Sequence, residues 1–239
     1  MSHAPVSSGH GCRPGYDSRV YETVTASAEM LDPANPSADP RPVPPRSQRY
    51  WIFGSMAVFG LISFIASFVL SVDALVLAGN PDADLACTID AVFDCAAVGA
   101  TWQANLLGFP NAFFGIATSV VLIVIAVAGL SGTRFPRWFM VGAHLGFLAG
   151  VIFAYWLLYQ STFVIGAMCI WCLTVCLATT IVFWNLTSWN FQEHNHYFGP
   201  AVGQKLERFV AGGWLSIVFM AWLALVISVE LVKWVPRYL

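Results

Sequence analysis

FVIGAMCIWCLTVCLATTIVFWNL, residues 163–186, contains no Asp, Glu, Lys or Arg. As a helix rising about 1.5 Å per residue it is long enough to cross the roughly 30 Å hydrocarbon core of a bilayer. Inside it, CIWCLTVC (169–176) places three cysteines within eight residues. A cysteine pair that works on other thiols normally sits on a water-exposed domain. This one begins about six residues into an apolar run, and the other segments of the chain have to account for that position.

Four further runs have the same character: Tyr50–Val72, Ala112–Leu130, Trp138–Tyr159 and Phe209–Val229. None contains Asp, Glu, Lys or Arg. The whole chain of 239 residues is 58% hydrophobic and 10% charged, with a mean hydropathy of +0.69. A soluble domain carries about 25% charged residues. Only helices and closed barrels satisfy their backbone in lipid, and these runs do not alternate as barrel strands do. The fold class is therefore all-α: a polytopic membrane protein with five crossings. With little charge and a formal net charge of −2, its partners are the bilayer and what reaches it, and no nucleic acid is expected.

Residues 1–49 hold 8 of the 13 prolines, many serines and charges of both signs. Such a segment cannot bury enough apolar area to offset its chain entropy, so it reads as a disordered tail, with Cys12 a bystander thiol. No early apolar h-region is present, so no cleavable signal is expected and the first span serves as its own insertion signal. The positive-inside rule sets the orientation. With the tail in the cytoplasm, nine Lys and Arg lie inside (Arg13, Arg19, Arg41, Arg46, Arg49, Arg134, Arg137, Lys205, Arg208) and two outside (Lys233, Arg237). The C-terminus then lies outside, and 187–208 is a cytoplasmic loop. Within that loop EHNH, 193–196, reads as solvated, and His144 in span three reads as a neutral packing histidine near the inner face.

The outer loop, 73–111, has five Asp and no basic residue, and carries Cys87 and Cys95. Its second half, VFDCAAVGATWQANLLGFP, suits a short helix in the membrane interface, stopped by Pro110. Spans two and three separate this loop from Cys169 and Cys172, so both pairs return to the same face. That face is extracytoplasmic, where disulfides persist.

A CxxC near a helix start puts its first thiol beside unsatisfied amides and the positive dipole end, which favours the attacking thiolate. Zinc competes for such cysteines, but C-x7-C is not structural-zinc spacing and the outer loops hold no histidine. Two static disulfides are a further use, in a non-catalytic membrane partner-binding or assembly subunit. A transporter would show repeats or midplane charges, and neither is evident. A redox relay needs an acceptor that reaches Cys172 among apolar side chains, which a lipid-soluble quinone can do. Asn111, at a similar depth, offers an amide donor to a quinone carbonyl. It equally suits the N-cap of span two.

The loop pair at Cys87 and Cys95, the following TWQANLLGFPNAFFGIA and the CIWC pair together resemble the bacterial form of the vitamin K epoxide reductase family, over about residues 50–190. The resemblance implies a four-helix transmembrane bundle around a quinone site (residues 50–190), capped by an extracytoplasmic interfacial half-helix. A cytoplasmic loop, a fifth transmembrane helix and a short outer C-terminus (191–239) follow. It implies an enzyme that reoxidises a thioredoxin-fold disulfide donor and passes electrons to a quinone, menaquinone or ubiquinone. Cys87 would meet the partner, Cys95 exchange with Cys169, and Cys172 face the quinone. Asn111, four residues before Gly115, corresponds to the family's quinone-binding asparagine. Two positions depart from the family. VGATW offers only Thr101 where a serine pair is common, and Cys176 stands where animal enzymes have tyrosine. Some relatives carry a fused thioredoxin domain. This chain ends at WVPRYL, so the partner is expected to be a separate protein.

Overall fold

In a computed structural model, residues 41–83, 85, 87, 88 and 92–237 are described, and Pro42–Leu239 form one compact unit. Most of the tail, with Cys12, lies outside the described residues. The elements in chain order are α1 (Arg46–Gly79), the short α2 (Cys95–Gly99) with a 3-10 turn at Trp102–Asn105, α3 (Ala112–Leu130), α4 (Arg137–Tyr159) continued by a π-helical turn (Gln160–Ile165), α5 (Ile170–Gln192), α6 (Pro200–Ala211) and α7 (Trp214–Trp234). Helices α1, α3, α4 with its π turn, α5 and α7 are long and apolar enough to cross a membrane. The protein is an all-α multi-pass membrane protein.

Helix α3 coincides with its expected span; the others differ in ways that matter. Helix α1 starts at Arg46, inside the stretch expected as tail. It runs on past Val72 to Gly79, where Asn80 leaves helical geometry ahead of Pro81. Asp73 therefore sits on a membrane helix rather than in the outer loop. The fourth span starts at Ile170, not Phe163. Residues 163–165 close the preceding helix as a π turn, and Gly166, at φ 75°, ends it in the left-handed region. The cysteine pair thus lies at the head of its helix and not six residues within it. Helix α7 extends to Trp234 and includes Glu230 and Lys233. The long spans are not free of charge at their ends, because a helix stops where its hydrogen bonds stop and not where hydropathy changes.

Helix α1 packs against α3 and α5, and α4 against α5. Small and hydroxylic residues line the α1–α3 seam. The Ser119 hydroxyl donates to Ser63 Oγ at 3.1 Å, and a Cβ on Gly115 would stand 2.9 Å from Ser67 Cβ and closer still to its Oγ. Lipid tails supply no hydrophobic drive between helices, so such close approach and interhelical hydrogen bonds do the joining. Asn185 Nδ2 similarly donates to Ser55 Oγ at 2.9 Å between α5 and α1. Below them lies a core of Phe53, Met56, Leu122, Ile125, Met140, Val182 and Leu186. Helix α7 meets the bundle through ring contacts, Trp222 on Tyr155 and Phe219 on Trp184.

At the end of the bundle away from Cys87 and Cys95, the 187–208 segment is not an open loop. Helix α5 reaches Gln192, and α6 occupies Pro200–Ala211. Nor is EHNH solvated. Glu193 and Asn195 are buried. The Glu193 carboxylate accepts from Trp189 Nε1 and Asn195 Nδ2, each at 3.0 Å, and faces Arg134 Nε at 3.6 Å. His144 has the packing role expected of it: Nε2 lies 2.9 Å from Thr187 Oγ1 and the ring stacks on Phe183.

Gly115→Ala should destabilise the protein by about 1–3 kcal/mol, the usual cost of overpacking a close contact. Adding Ser67→Gly should restore part of it, because the two positions meet. Thermal unfolding in detergent checks both. An unshifted transition in the alanine variant would mean that α1 and α3 do not depend on this contact.

Candidate active site

Two short segments carry the cysteine pairs, and each is shaped locally. Asp94 caps α2: Ala97 N–H donates to its Oδ1 at 3.0 Å, and Thr88 Oγ1 donates to the same oxygen at 3.2 Å. Cys95 is the first residue of that helix. Cys87 and Cys95 form a disulfide, their Cα atoms 5.7 Å apart, a separation suited to bridging. Cys169 caps α5, with Cys172 N–H donating to its Sγ at 3.4 Å. The expected placement of a thiol at a helix head is met by Cys169, one residue ahead of the first turn.

The two segments are joined through their main chains. Met168 N–H donates to Val92 O at 2.7 Å, and Asp94 N–H donates to Met168 O at 3.1 Å, a parallel bridge of Phe93 with Met168. Met168 directly precedes Cys169, and Asp94 directly precedes Cys95. The result is one buried cluster of Cys87, Cys95 and Cys169 with Leu77 and Leu85, against which Cys172 and Trp171 pack. Cys169, Cys172 and Cys176 are free thiols. The structure thus brings together all four cysteines that the sequence singled out.

Cys169 lies just outside the membrane helix it caps. Its pKa is held below the ordinary thiol value, first by the hydrogen bond with the Cys172 thiol and further by the Cys172 and Trp171 amides; burial and the Asp73 carboxylate oppose this. Asp73 is the residue that sequence reasoning missed. Its Oδ2 stands 3.7 Å from Cys87 Sγ. In the disulfide that sulfur has no hydrogen to donate, so the contact becomes a hydrogen bond only when Cys87 is reduced. The available signal was the run DALVLAG before NP, a helical continuation ended by proline.

A cavity of about 760 Å³ adjoins the cluster, lined at one end by Asp73, Cys95, Gln103, Asn111, Cys169 and Cys172. Further along, the wall is apolar, with Gly142, Gly146, Phe147 and Phe153 of α4 and Cys176 and Val182 of α5. A Cβ at Gly142 or Gly146 would meet nothing within 4 Å, so both glycines widen the cavity rather than bring helices together. Asn111 makes no side-chain cap bond to α3. Its Nδ2 instead donates to Gln103 O at 2.6 Å, and its Oδ1 is buried without a partner. The reversed amide would set two oxygens against each other, so the network fixes this orientation. One amide hydrogen and one oxygen stay unused. Gln103 is itself buried, with Nε2 donating to Gln160 Oε1 at 3.4 Å. Thr101, which also lines the cavity, donates its hydroxyl to Val98 O at 2.7 Å.

Fold and site together define a multi-pass membrane protein with two cysteine pairs clustered beside a large apolar cavity. Residues 55–187 match the vitamin K epoxide reductase family, and the chain belongs to it. No curated protein matches the chain. The family is one of membrane disulfide oxidoreductases whose members use quinones and generally work with a thioredoxin-like partner.

In the reduced protein the depressed Cys169 pKa has a consequence with a definite sign. The thiolate persists below the ordinary thiol value of about 8.5. Its stabilising contribution is full above that value and is lost as pH falls through the lower folded one. Alkylation of Cys169, followed by mass spectrometry across pH, should show a midpoint below about 8.5. Asp73→Asn should move it lower still, by removing the opposing charge. A midpoint at or above the free-thiol value would contradict the geometry.

Proposed function

We propose that the protein is a thiol oxidase that reoxidises a separate thioredoxin-fold disulfide donor outside the cytoplasm and passes the electrons through its two cysteine pairs to a membrane quinone, menaquinone or ubiquinone. The observation that carries this reading is the single buried cluster of Cys87, Cys95 and Cys169 beside a cavity that Cys172 and Asn111 also line. The nine-to-two division of Lys and Arg supports an orientation with the tail and 187–208 in the cytoplasm and the cysteines and C-terminus outside.

A thiolate of the reduced partner attacks Cys87 and breaks the Cys87–Cys95 bond. The partner's second thiol resolves the mixed disulfide and leaves Cys87 and Cys95 as a dithiol. With Cys169 and Cys172 joined, the Cys95 thiolate attacks Cys169 and releases Cys172. The Cys87 thiolate then attacks Cys95, restoring the outer disulfide and freeing Cys169. Two electrons have moved inward, and the two protons lost by Cys87 and Cys95 are balanced by two gained at Cys169 and Cys172. Asp73 is the carboxylate that takes the Cys87 proton. The low pKa of Cys169 makes it a good leaving group in the second exchange. A bound quinone supplies the sink for two electrons and two protons, and the Cys169–Cys172 disulfide re-forms. Asn111 directs its remaining amide hydrogen to a carbonyl oxygen, where a bond strengthens as negative charge builds.

Thiol trapping of membranes with and without quinone turnover tests the reading, since static disulfides would not cycle. Cys169→Ser and Cys172→Ser should abolish electron transfer from any donor. Cys95→Ala should block oxidation of the partner protein; full partner oxidation by that variant would overturn the relay order. Asn111→Ala should slow quinone reduction by roughly 5- to 30-fold, the worth of a net hydrogen bond of about 1–2 kcal/mol. Wild-type quinone kinetics in that variant would remove Asn111 from the site. A membrane-impermeant thiol reagent that spared reduced Cys87 in intact cells would reverse the orientation.

A further inference from the structure

The fifth membrane helix lies beyond residue 187, where the family match ends, yet its last turn packs against the two residues that bridge the cysteine-bearing segments. Glu230 is an acidic side chain inside a membrane helix, a placement that carries a cost and calls for a use. Both its carboxylate oxygens lie 3.1 Å from the hydroxyl of Thr162, a fully buried residue of the π turn. Glu230 Oε2 also accepts from Trp234 Nε1 at 2.9 Å, one turn along α7. The carboxylate therefore fixes the indole and ties it to the π turn. Trp234 is buried and packs in one cluster with Val92 and Met168. Those two residues make the 2.7 Å main-chain bond of the bridge that sets Cys95 against Cys169. A continuous set of contacts thus runs from Glu230 and Thr162 through Trp234 to the bridge, and ends one residue from Cys169 and, through Asp94, one residue from Cys95.

We propose, on the relay set out above, that Glu230 and Trp234 are positioning residues: the end of α7 clamps the bridge between residues 92–94 and 168, and so sets the approach of Cys95 to Cys169. Neither residue touches a reacting sulfur. Their effect is on geometry. Exchange needs three sulfurs nearly in line, and a displacement of about 1 Å costs on the order of a hundredfold in rate. A lone pair of main-chain hydrogen bonds between two extended segments tolerates such a displacement; the same pair with a fixed indole against it does not. The π turn fits this role. Its irregular backbone presents Thr162 to Glu230 while Gly166 releases residues 167–169 to extend along residues 92–94.

The test is the effective concentration of Cys95 and Cys169 for each other. In the full-length chain carrying Cys12→Ser, Cys87→Ser, Cys172→Ser and Cys176→Ser, these two are the cysteines that remain to form a disulfide, whose equilibrium with a glutathione redox buffer is read by mass spectrometry. Trp234→Ala and Glu230→Gln should each lower the effective concentration by about tenfold or more. Trp234→Phe, which keeps a ring but loses the N–H donor, should lower it less. Values within about twofold of the parent for Glu230→Gln and Trp234→Ala would overturn the proposal. If Trp234→Ala does not fold, Glu230→Gln and Trp234→Phe decide by the same criterion. A melting temperature close to the parent's separates misalignment from general unfolding, and an effective concentration that falls only in variants with a collapsed melting temperature would also overturn the clamp. The glutathione equilibrium involves no quinone and no partner protein. A wild-type protein that failed to reduce quinone would therefore overturn the relay while leaving this measurement valid.

Discussion

Two main-chain hydrogen bonds, between Met168 and the segment Val92–Asp94, hold the site together. They set the segment that carries Cys95 against the segment that carries Cys169. For the bonds to form, both partners must leave helical geometry at the right place. Asp94 caps α2 and keeps residues 92–94 extended before the helix starts. On the other side the π turn and Gly166 end α4, and the Ser161 hydroxyl donates to Ala167 O at 2.5 Å, holding the released chain. Cys169 then caps α5. A non-helical backbone at this depth is tolerated only where protein covers its polar groups, and the pairing of the two strands of chain provides that cover.

The same rule governs the rest of the bundle. Some polar side chains in the apolar layers have a specific partner on another helix, and these partners place the helices; others, such as Ser71, Thr174 and Thr179, bond back to their own helix. Ser63 with Ser119 and Asn185 with Ser55 join α1 to α3 and α5. At the opposite end Glu193 gathers Trp189, Asn195 and Arg134 and closes the bundle around the last turn of α5. Asn111 Oδ1 is buried with no partner on the cavity wall; Arg49 Nε, Asn190 Oδ1 and His196 Nε2 are also buried without one, but those residues do not line the cavity. A buried orphan acceptor costs roughly 1–3 kcal/mol. Of these buried, unpartnered atoms, Asn111 Oδ1 is the one whose residue lines the cavity, and this sets Asn111 apart.

The cavity follows from which helices touch. Helix α1 is drawn close to α3 by Gly115 and the serines, and to α5 by Asn185. Helix α4 contacts α5 but presents glycines and aromatics to the gap left facing α1 and α3. Tight packing on one side of the bundle is what leaves space on the other. The redox cluster sits over one end of that space because the bridge draws the outer segment inward across it.

The sequence by itself determined the five membrane helices, the all-α class and the grouping of four cysteines, because hydropathy and Cys spacing are local properties that lipid and chemistry read directly. Helix α3 could be read to the residue, since Asn111 and Ser131 bound an unbroken apolar run. Local reading failed where a boundary or a burial depended on contacts distant in the chain. Asp73 looked like loop because hydropathy drops at Val72, yet the helix continues to Gly79 and carries the carboxylate to Cys87. EHNH looked solvated because its residues are polar, yet Arg134 and Trp189 meet Glu193 and bury it. Asn111 suited an N-cap, but the fold turned its amide to Gln103. The bridge at Phe93 and Met168 joins positions far apart in the chain, and the hold of Glu230 and Trp234 on it joins positions farther apart still. No periodicity or motif encodes such pairings. They exist only once the bilayer has aligned the helices and the polar groups at their ends have found the partners that desolvation requires.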